Sequence, residues 1–275
     1  MEGISGKNVL VTGGSSGIGQ AIAVRFAKEG ANVAINYRSG AEEAEQTRAM
    51  IYQDEPVEAC VDQLKAIGCK HVLVQGDVSR ECDVTRMITE TVEQLGGIDI
   101  LVNNAGIQTA VDSVELDTDT FDRVLAVNLR GAFMCARESI KQMLAQNRSG
   151  VVLNVSSVHQ IIPKPRFLSY AISKGGMQNM TRTLALEYAA QGIRVNAIGP
   201  GATITPINQA WVEDPDKRAQ VEQHIPLGRA GTSAEMAAVA VFLCSEEAAY
   251  ITGQTLYIDG GLTLFADFRT AWSSE

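Results

Sequence analysis

Asn8-Val-Leu-Val-Thr12-Gly13-Gly14-Ser15-Ser16-Gly17-Ile18-Gly19 stands almost at the start of the chain, and its reading decides the fold. The apolar run from Asn8 to Thr12 predicts a short buried strand. The pattern from Ile18 to Glu29 predicts a helix closed by Gly30. Between them, Gly13 permits a tight turn, Gly17 lets backbone approach an anion closely, and Gly19 lets the helix pack on the sheet. Ser15 and Ser16 lie where the helix N-terminus faces that anion, as in a unit that holds the pyrophosphate of a dinucleotide. The spacing is GxxxGxG, not GxGxxG. A merely flexible loop is the alternative, and its place directly between strand and helix weakens it.

Outward from this unit the same alternation recurs. Asn32 to Asn36, His71 to Gln75, Ile98 to Asn103, Val151 to Val155, Arg194 to Ile198 and Gln254 to Ile258 read as further strands. Helical patterns cover 41–67 (broken near Pro56), about Arg80 to Leu95, Asp117 to Gln146, Tyr170 to Ala190 and Ser233 to Leu243. Continuous Val/Ile/Leu strands alternating with helices predict an α/β fold with a parallel sheet covered on both faces. No linker or charge block divides residues 1–275, which read as one domain. The longest irregular stretches are 156–169 and 199–232, lengths typical of binding loops and lids.

Composition excludes several classes. The 275 residues are 45% apolar and 20% charged with a net charge of −9, which argues against nucleic acid or an anionic membrane surface as partner. No apolar run approaches the ~20 residues that span a bilayer, and Met1 to Lys7 lacks the apolar region of a secretory signal. Five scattered cysteines without CxxC spacing suit a reducing compartment, so a cytoplasmic protein is expected. His71, His159 and His224 lack metal-ligand spacing, and no metal is expected.

Candidate site residues lie at the ends of these strands, where open α/β sheets bind ligands. After the second strand comes Asn36-Tyr37-Arg38-Ser39, without the acid that would bind a ribose 2′-OH. Arg38 there suits a 2′-phosphate, with Ser39 donating a further hydrogen bond, so NADP is expected and NAD is a second possibility. The alternative is a solvated surface arginine. Asp77, in Gly76-Asp77-Val78, suits an adenine amino group, although an isolated Asp after a strand is also a common turn former. Asn103-Asn104-Ala105-Gly106 leaves room for a flat ring. Farther on, Ser157 precedes Tyr170 by thirteen positions and Lys174 by seventeen. On one helix, Tyr170 and Lys174 would share a face, and the ammonium would pull the phenol from its usual pKa near ~10 towards working pH. With a hydroxyl from Ser157 alongside, this is a proton-transfer device. His159 is expected either to face a substrate or to be a plain hydrogen-bonded loop residue. The segment 203–225 suits a lid, and equally a surface helix.

TGGSSGIG at 12–19, NNAG at 103–106, Asn128, Ser157 with Tyr170-Ala-Ile-Ser-Lys174, and Pro200-Gly201 occur in the order found in the short-chain dehydrogenase/reductase family, which the chain resembles over essentially its whole length. The resemblance implies a Rossmann-type fold with a seven-stranded parallel sheet, and a homotetramer built through helices around 117–146 and 170–190. It implies Tyr170 as acid/base, Lys174 holding the nicotinamide ribose, Ser157 orienting the reacting oxygen, and Asn128 supporting a water linked to Lys174. Gly13, Gly17, Ile18, Asp77, Val78, Asn104, Ala105, Gly106 and the 200–205 loop with Pro200, Gly201, Thr203 and Thr205 would contact the cofactor.

Within the family the chain resembles the bacterial glucose 1-dehydrogenases through Ser156-Ser157-Val158-His159, Pro163 with Pro165, Lys174-Gly-Gly-Met177 and Gly199-Pro-Gly-Ala202. It departs from that group at Gln108, Gln160 and Lys164, where acids and an aromatic are expected, and 50–66 is about a dozen residues longer. Reversible hydride transfer between a CH–OH group and a nicotinamide follows, with glucose to lactone as the expected case. Reduction of ketones or 3-oxoacyl thioesters is the rival, and a non-catalytic dinucleotide-binding regulator the minor one.

Overall fold

A computed structural model describes residues 1–38 and 70–264. The helical reading of 41–67, the elaboration at 50–66 and Ser39 lie outside the described residues. The strands are β1 (Asn8–Val11), β2 (Asn32–Tyr37), β3 (His71–Gln75), β4 (Ile100–Asn103), β5 (Gly150–Val155), β6 (Ile193–Pro200), β7 (Thr203–Ile204), β8 (Gly231–Thr232) and β9 (Thr255–Ile258). Seven of them form one parallel sheet in the order β3-β2-β1-β4-β5-β6-β9, with Val9 opposite both Val33 and Ile100. The order reverses direction between β1 and β4, which opens a crevice at the carboxyl ends of those two strands.

The strands read as unbroken apolar runs because the sheet is buried on both faces. Val9, Val11, Ile100 and Val102 pack on one side with Ile22, Phe26, Met236 and Val241, from α1 (Gly17–Lys28) and the last described helix. Leu10, Leu101 and Val152 point the other way, onto Val84, Met87 and Ile88 of α2 (Glu81–Leu95) and, beyond α3 (Thr118–Leu125), Ile140 and Met143 of α4 (Ala132–Ala145). This is the α/β, seven-stranded Rossmann-type fold expected.

Two differences from the sequence reading bear on the site. The pattern over Asp117 to Gln146 is not one regular helix: α3 and α4 are joined by a π-helical turn, Ala126–Gly131. Such a turn inserts a residue without disturbing the helical spacing of apolar side chains on either side. The stretch 199–232 is not irregular either. It carries the β7–β8 pair, α6 (Gln209–Val212) and α7 (Pro215–Glu222), the last begun by the Asp214 carboxylate accepting from Asp216 N and Lys217 N. Before it, α5 (Leu168–Tyr188) carries Tyr170 and Lys174, and after it α8 (Ser233–Cys244) completes the fold.

Candidate active site

The glycine turn is held rigid from three sides. Thr12 Oγ1 accepts from the amides of Asn104 (3.0 Å) and Ala105 (3.1 Å), joining β1 to the loop after β4. Asn104 Nδ2 donates back to the carbonyls of Thr12 and Gly13 at 3.0 and 2.9 Å. From β2, Asn36 Oδ1 accepts from Gly13 N (3.2 Å), while its Nδ2 donates to Gly76 O (3.1 Å). Gly13 has φ +59, and a Cβ there would lie 2.9 Å from Ala105 Cα, so only glycine fits.

Helix α1 then starts at Gly17 with no side-chain cap from Ser16 and no acid in its first turn. An N-terminus so arranged leaves donors for an anion, as a dinucleotide pyrophosphate requires. These residues fit the cofactor expected from the sequence.

One cavity of about 930 Å³ runs along the carboxyl ends of the strands. Gly13, Ser15, Ser16, Gly17 and Ile18 line it from the turn, Tyr37 and Arg38 from β2, and Asp77 and Val78 from beyond β3. Asn104, Ala105 and Gly106 continue the wall after β4, and Pro200, Gly201, Thr203 and Thr205 after β6. Ser157, His159, Tyr170 and Lys174 line it as well. Two expected site residues do not. Gly19 lies behind the turn, where a Cβ would sit 2.3 Å from Asn104 Nδ2. Asn128 is fully buried in the π-helical turn, its Oδ1 accepting from Ile107 N (2.8 Å) and its Nδ2 donating to Ile107 O (2.9 Å) and Ser173 Oγ (3.1 Å). Ser173 Oγ in turn donates to Tyr170 O (2.7 Å), so the Asn128 side chain fixes the start of α5.

Asp77 Oδ1 accepts from Ser79 N (2.9 Å) and Ser79 Oγ (2.7 Å), the turn-forming arrangement. Although burial opposes it, these bonds and the Arg38 and Arg123 charges hold its carboxyl below the usual range.

Helix α5 presents Tyr170 and Lys174 one turn apart, as their spacing requires. Ser157 stands beside the Tyr170 phenol and accepts from His159 N at 3.2 Å. Lys174 is 4% exposed, and its Nζ donates to Val155 O at 2.8 Å and stands 5.6 Å from the Tyr170 ring centroid. Gly106 stands beside it: a Cβ there would come to 3.8 Å from that Nζ.

The expected depression of the phenol pKa is corrected by this arrangement. Burial pushes the Tyr170 phenol above its ordinary value, and the Ser157 hydroxyl only partly opposes that. The ammonium is engaged with a carbonyl and does not touch the phenol oxygen, so desolvation of the phenolate dominates. Burial also brings Lys174 down, to about 8, which leaves it mainly cationic at neutral pH.

Three positions that depart from the glucose-dehydrogenase pattern behave differently. Gln108 and Lys164 line the cavity, whereas Gln160 does not. Gln160 accepts from Ser156 Oγ (2.6 Å) and donates to the Tyr257 hydroxyl (2.7 Å), tying the loop after β5 to β9. Gln108 Nε2 donates to Ile207 O at 3.2 Å, reaching the segment 203–225, from which Ile207, Trp211, Val221 and His224 also line the cavity. His159 Nδ1 meets Ile162 O (3.1 Å), and burial lowers its pKa.

Sequence reasoning did not single out Phe167 in the wall or the bracing by Thr12 and Asn36, whereas Trp211 lies in the segment 203–225 expected to cover the substrate. A hydroxyl as the last residue before a glycine turn is a signal that was available for Thr12.

Among the described residues no group of three or more His, Cys, Asp or Glu side chains is placed to hold a metal, and no helix is long and apolar enough to cross a membrane.

Residues 13–263 match a family model described as enoyl-(acyl carrier protein) reductase. The chain is similar to glucose 1-dehydrogenase of Gluconobacter oxydans, 47% identical over 98% of this chain and 97% of that one. It is also similar to 3beta-hydroxysteroid dehydrogenase 1 of Eggerthella lenta, 44% identical over 98% of each. Among solved structures, a candidate 2-deoxy-D-gluconate 3-dehydrogenase from Agrobacterium tumefaciens with bound NADP superposes with a TM-score of 0.82, at 36% identity over 94% of this chain and 96% of that one. Likeness at this level along nearly the whole length, in fold and in sequence alike, makes the chain an oxidoreductase of the short-chain dehydrogenase/reductase family.

Proposed function

We propose that the protein oxidises, reversibly, a CH–OH group of a sugar-type small molecule with NADP, glucose being the reference substrate and NAD a second cofactor. One observation carries this reading: Tyr170, one helical turn from Lys174 and beside Ser157, opens into the same cavity as the glycine turn. The sugar class is supported by the likeness to glucose 1-dehydrogenase and to the candidate 2-deoxy-D-gluconate 3-dehydrogenase. NADP is supported by Arg38 in the wall, with no acid among Asn36, Tyr37 and Arg38.

The nicotinamide, when bound, supplies the hydride acceptor. Residues 13–18 hold the pyrophosphate and Arg38 the 2′-phosphate, while Lys174 offers its ammonium to the ribose. Ser157 donates a hydrogen bond to the substrate oxygen as charge changes there. Tyr170 takes the hydroxyl proton during oxidation and returns it during reduction. Because burial raises its pKa, the phenol is protonated at neutral pH, the form that donates to a carbonyl. Oxidation therefore draws on the phenolate and gains as pH rises. Asn128 is a positioning residue in this scheme, acting through Ser173 on the backbone of Tyr170.

A panel of sugars, polyols, steroids and acyl thioesters, followed by NADPH absorbance, tests the reading. Turnover is expected with sugar-type compounds; turnover confined to steroids or thioesters overturns the substrate class.

A further inference from the structure

We infer that, within the sugar class, the preferred substrate is a sugar acid rather than neutral glucose, its carboxylate received by Lys164 at the substrate end of the cavity; this rests on the reading of Tyr170 as the group that handles the CH–OH proton. Lys164 lines the cavity, with its Nζ 4.1 Å from the centroid of the Phe167 ring. That ring meets Tyr170 edge to face, with centroids 6.2 Å apart at 85°, and His159 at 6.1 Å. A single ring thus separates the cation from the phenol, a distance that a polyhydroxylated carbon chain can bridge.

The backbone is built to hold Lys164 there. Phe167 N donates to Lys164 O at 3.3 Å, closing a four-residue turn through Pro165 and Arg166. Arg166 takes the third position with φ +69, left-handed backbone that usually calls for glycine or asparagine. It is kept there by Arg166 Nη2 donating to Ala110 O (3.2 Å), by Val111 N donating to Arg166 O (2.9 Å) and by an ion pair with Asp112 at 3.6 Å.

No carboxylate among the described residues lies within ion-pair distance of Lys164. Asp77 is the only acid among the described residues that line the cavity, and it is held by Ser79 and the Arg38 charge at the far, β3 end. Gln108, where an acid is expected, brings an amide and no countercharge. Lys164 is an exposed residue at the cavity mouth, but its ammonium rests on the Phe167 face, and the desolvation there lowers its pKa. A ligand carboxylate would supply the missing charge-assisted hydrogen bond. A carboxylate suits the site better than a phosphate: one ammonium matches a monoanion, whereas a dianion calls for several cations or an Arg fork, and burial disfavours charge on the neighbouring His159.

The test compares kcat/KM with NADP for gluconate, its neutral alditol and 6-phosphogluconate, in the wild type and in Lys164→Met and Lys164→Arg. The wild type is expected to favour gluconate over the alditol by at least about ten-fold, from the worth of one charged hydrogen bond. Lys164→Met should collapse that ratio and Lys164→Arg restore most of it. A general structural defect would lower all rates and leave the ratio in place. A ratio near one in the wild type, or one unmoved in Lys164→Met, overturns the inference, as does a preference for 6-phosphogluconate, which assigns the cation to phosphate.

Calorimetric titration of gluconate into the protein with NADPH decides the case in which none of the three compounds turns over. Binding that weakens at least about ten-fold in Lys164→Met supports the Lys164 site while the proposed reaction fails; no binding overturns the site itself.

Discussion

Replacing Lys174 by methionine should remove activity and stabilise the fold, two outcomes with one electrostatic cause. The side chain is 4% exposed, and its one polar contact is the Val155 carbonyl at 2.8 Å. Its fall from 10.5 to about 8 expresses the cost of keeping an ammonium out of water, which at ~1.4 kcal/mol per pH unit is about 3 kcal/mol. Methionine has a similar shape and no charge, and it leaves the Val155 carbonyl without this donor, a loss of about 1 kcal/mol. The variant should therefore be more stable than the wild type by about 2 kcal/mol at pH 7. The sign of the pH dependence follows from the same values. Below about pH 8 lysine is protonated in both folded and unfolded chains, and the full penalty is present. Between about 8 and 10.5 the unfolded chain holds a proton that the folded chain has released, so wild-type stability rises with pH and the gap closes. Urea melts of both proteins at pH 7 and pH 10, followed by tryptophan fluorescence, read the two gaps. A variant less stable than the wild type at pH 7, or a gap of the same size at both pH values, would refute the claim that Lys174 is held at an electrostatic cost.

Tyr170→Phe should lower turnover by about two to four orders of magnitude with NADPH affinity largely kept, measured by steady-state rates and fluorescence titration. Because burial raises the phenol pKa, wild-type oxidation should climb from neutral to alkaline pH; a flat profile would remove the tyrosine base. Arg38→Ala should shift the kcat/KM ratio from NADP towards NAD by at least about ten-fold, and an unchanged ratio would end the role given to Arg38. Phe133 and Leu144 on α4, with Leu168, Ile172 and Leu186 on α5, are exposed apolar side chains suited to self-association. Sedimentation should find a homotetramer, and a monomer at micromolar concentration would contradict it.

The sheet was legible because its central strands, β1, β2, β4, β5 and β6, are buried on both faces. Val9-Leu10-Val11 sends alternate side chains into two different cores, and a run that must satisfy both can only be apolar. The π-helical turn at 126–131 was not legible, since apolar periodicity on either side of an inserted residue still looks helical. The helix at 215–222 left a clear signal, an Asp-Pro pair in which Asp214 caps and Pro215 takes the first helical position, and a surface helix was one of the two readings of 203–225.

Within the site, what could be read depends on what fixes a side chain's direction. Tyr170 and Lys174 are aimed by helix geometry alone, so a spacing of four predicts their shared face. Gly13 is required by backbone conformation and by the closeness of Ala105. Side-chain amides follow a different rule, because each must satisfy a donor and an acceptor when buried. Asn36, Asn104, Asn128 and Gln160 all stand next to the cavity-forming loops; Asn36, Asn128 and Gln160 use both ends on the protein itself, and Asn104 spends its Nδ2 on the carbonyls of Thr12 and Gly13. A sequence marks where such an amide sits but not which carbonyl or amide it will find. Lys164 is the extreme case: its aim depends on a turn whose third residue is Arg166 in left-handed backbone, a conformation no arginine announces. The proposed hydride-transfer chemistry therefore rests on residues aimed by regular structure, and the proposed substrate choice on residues aimed by partners distant in the chain. That is why the first could be read from pattern and the second needed the fold.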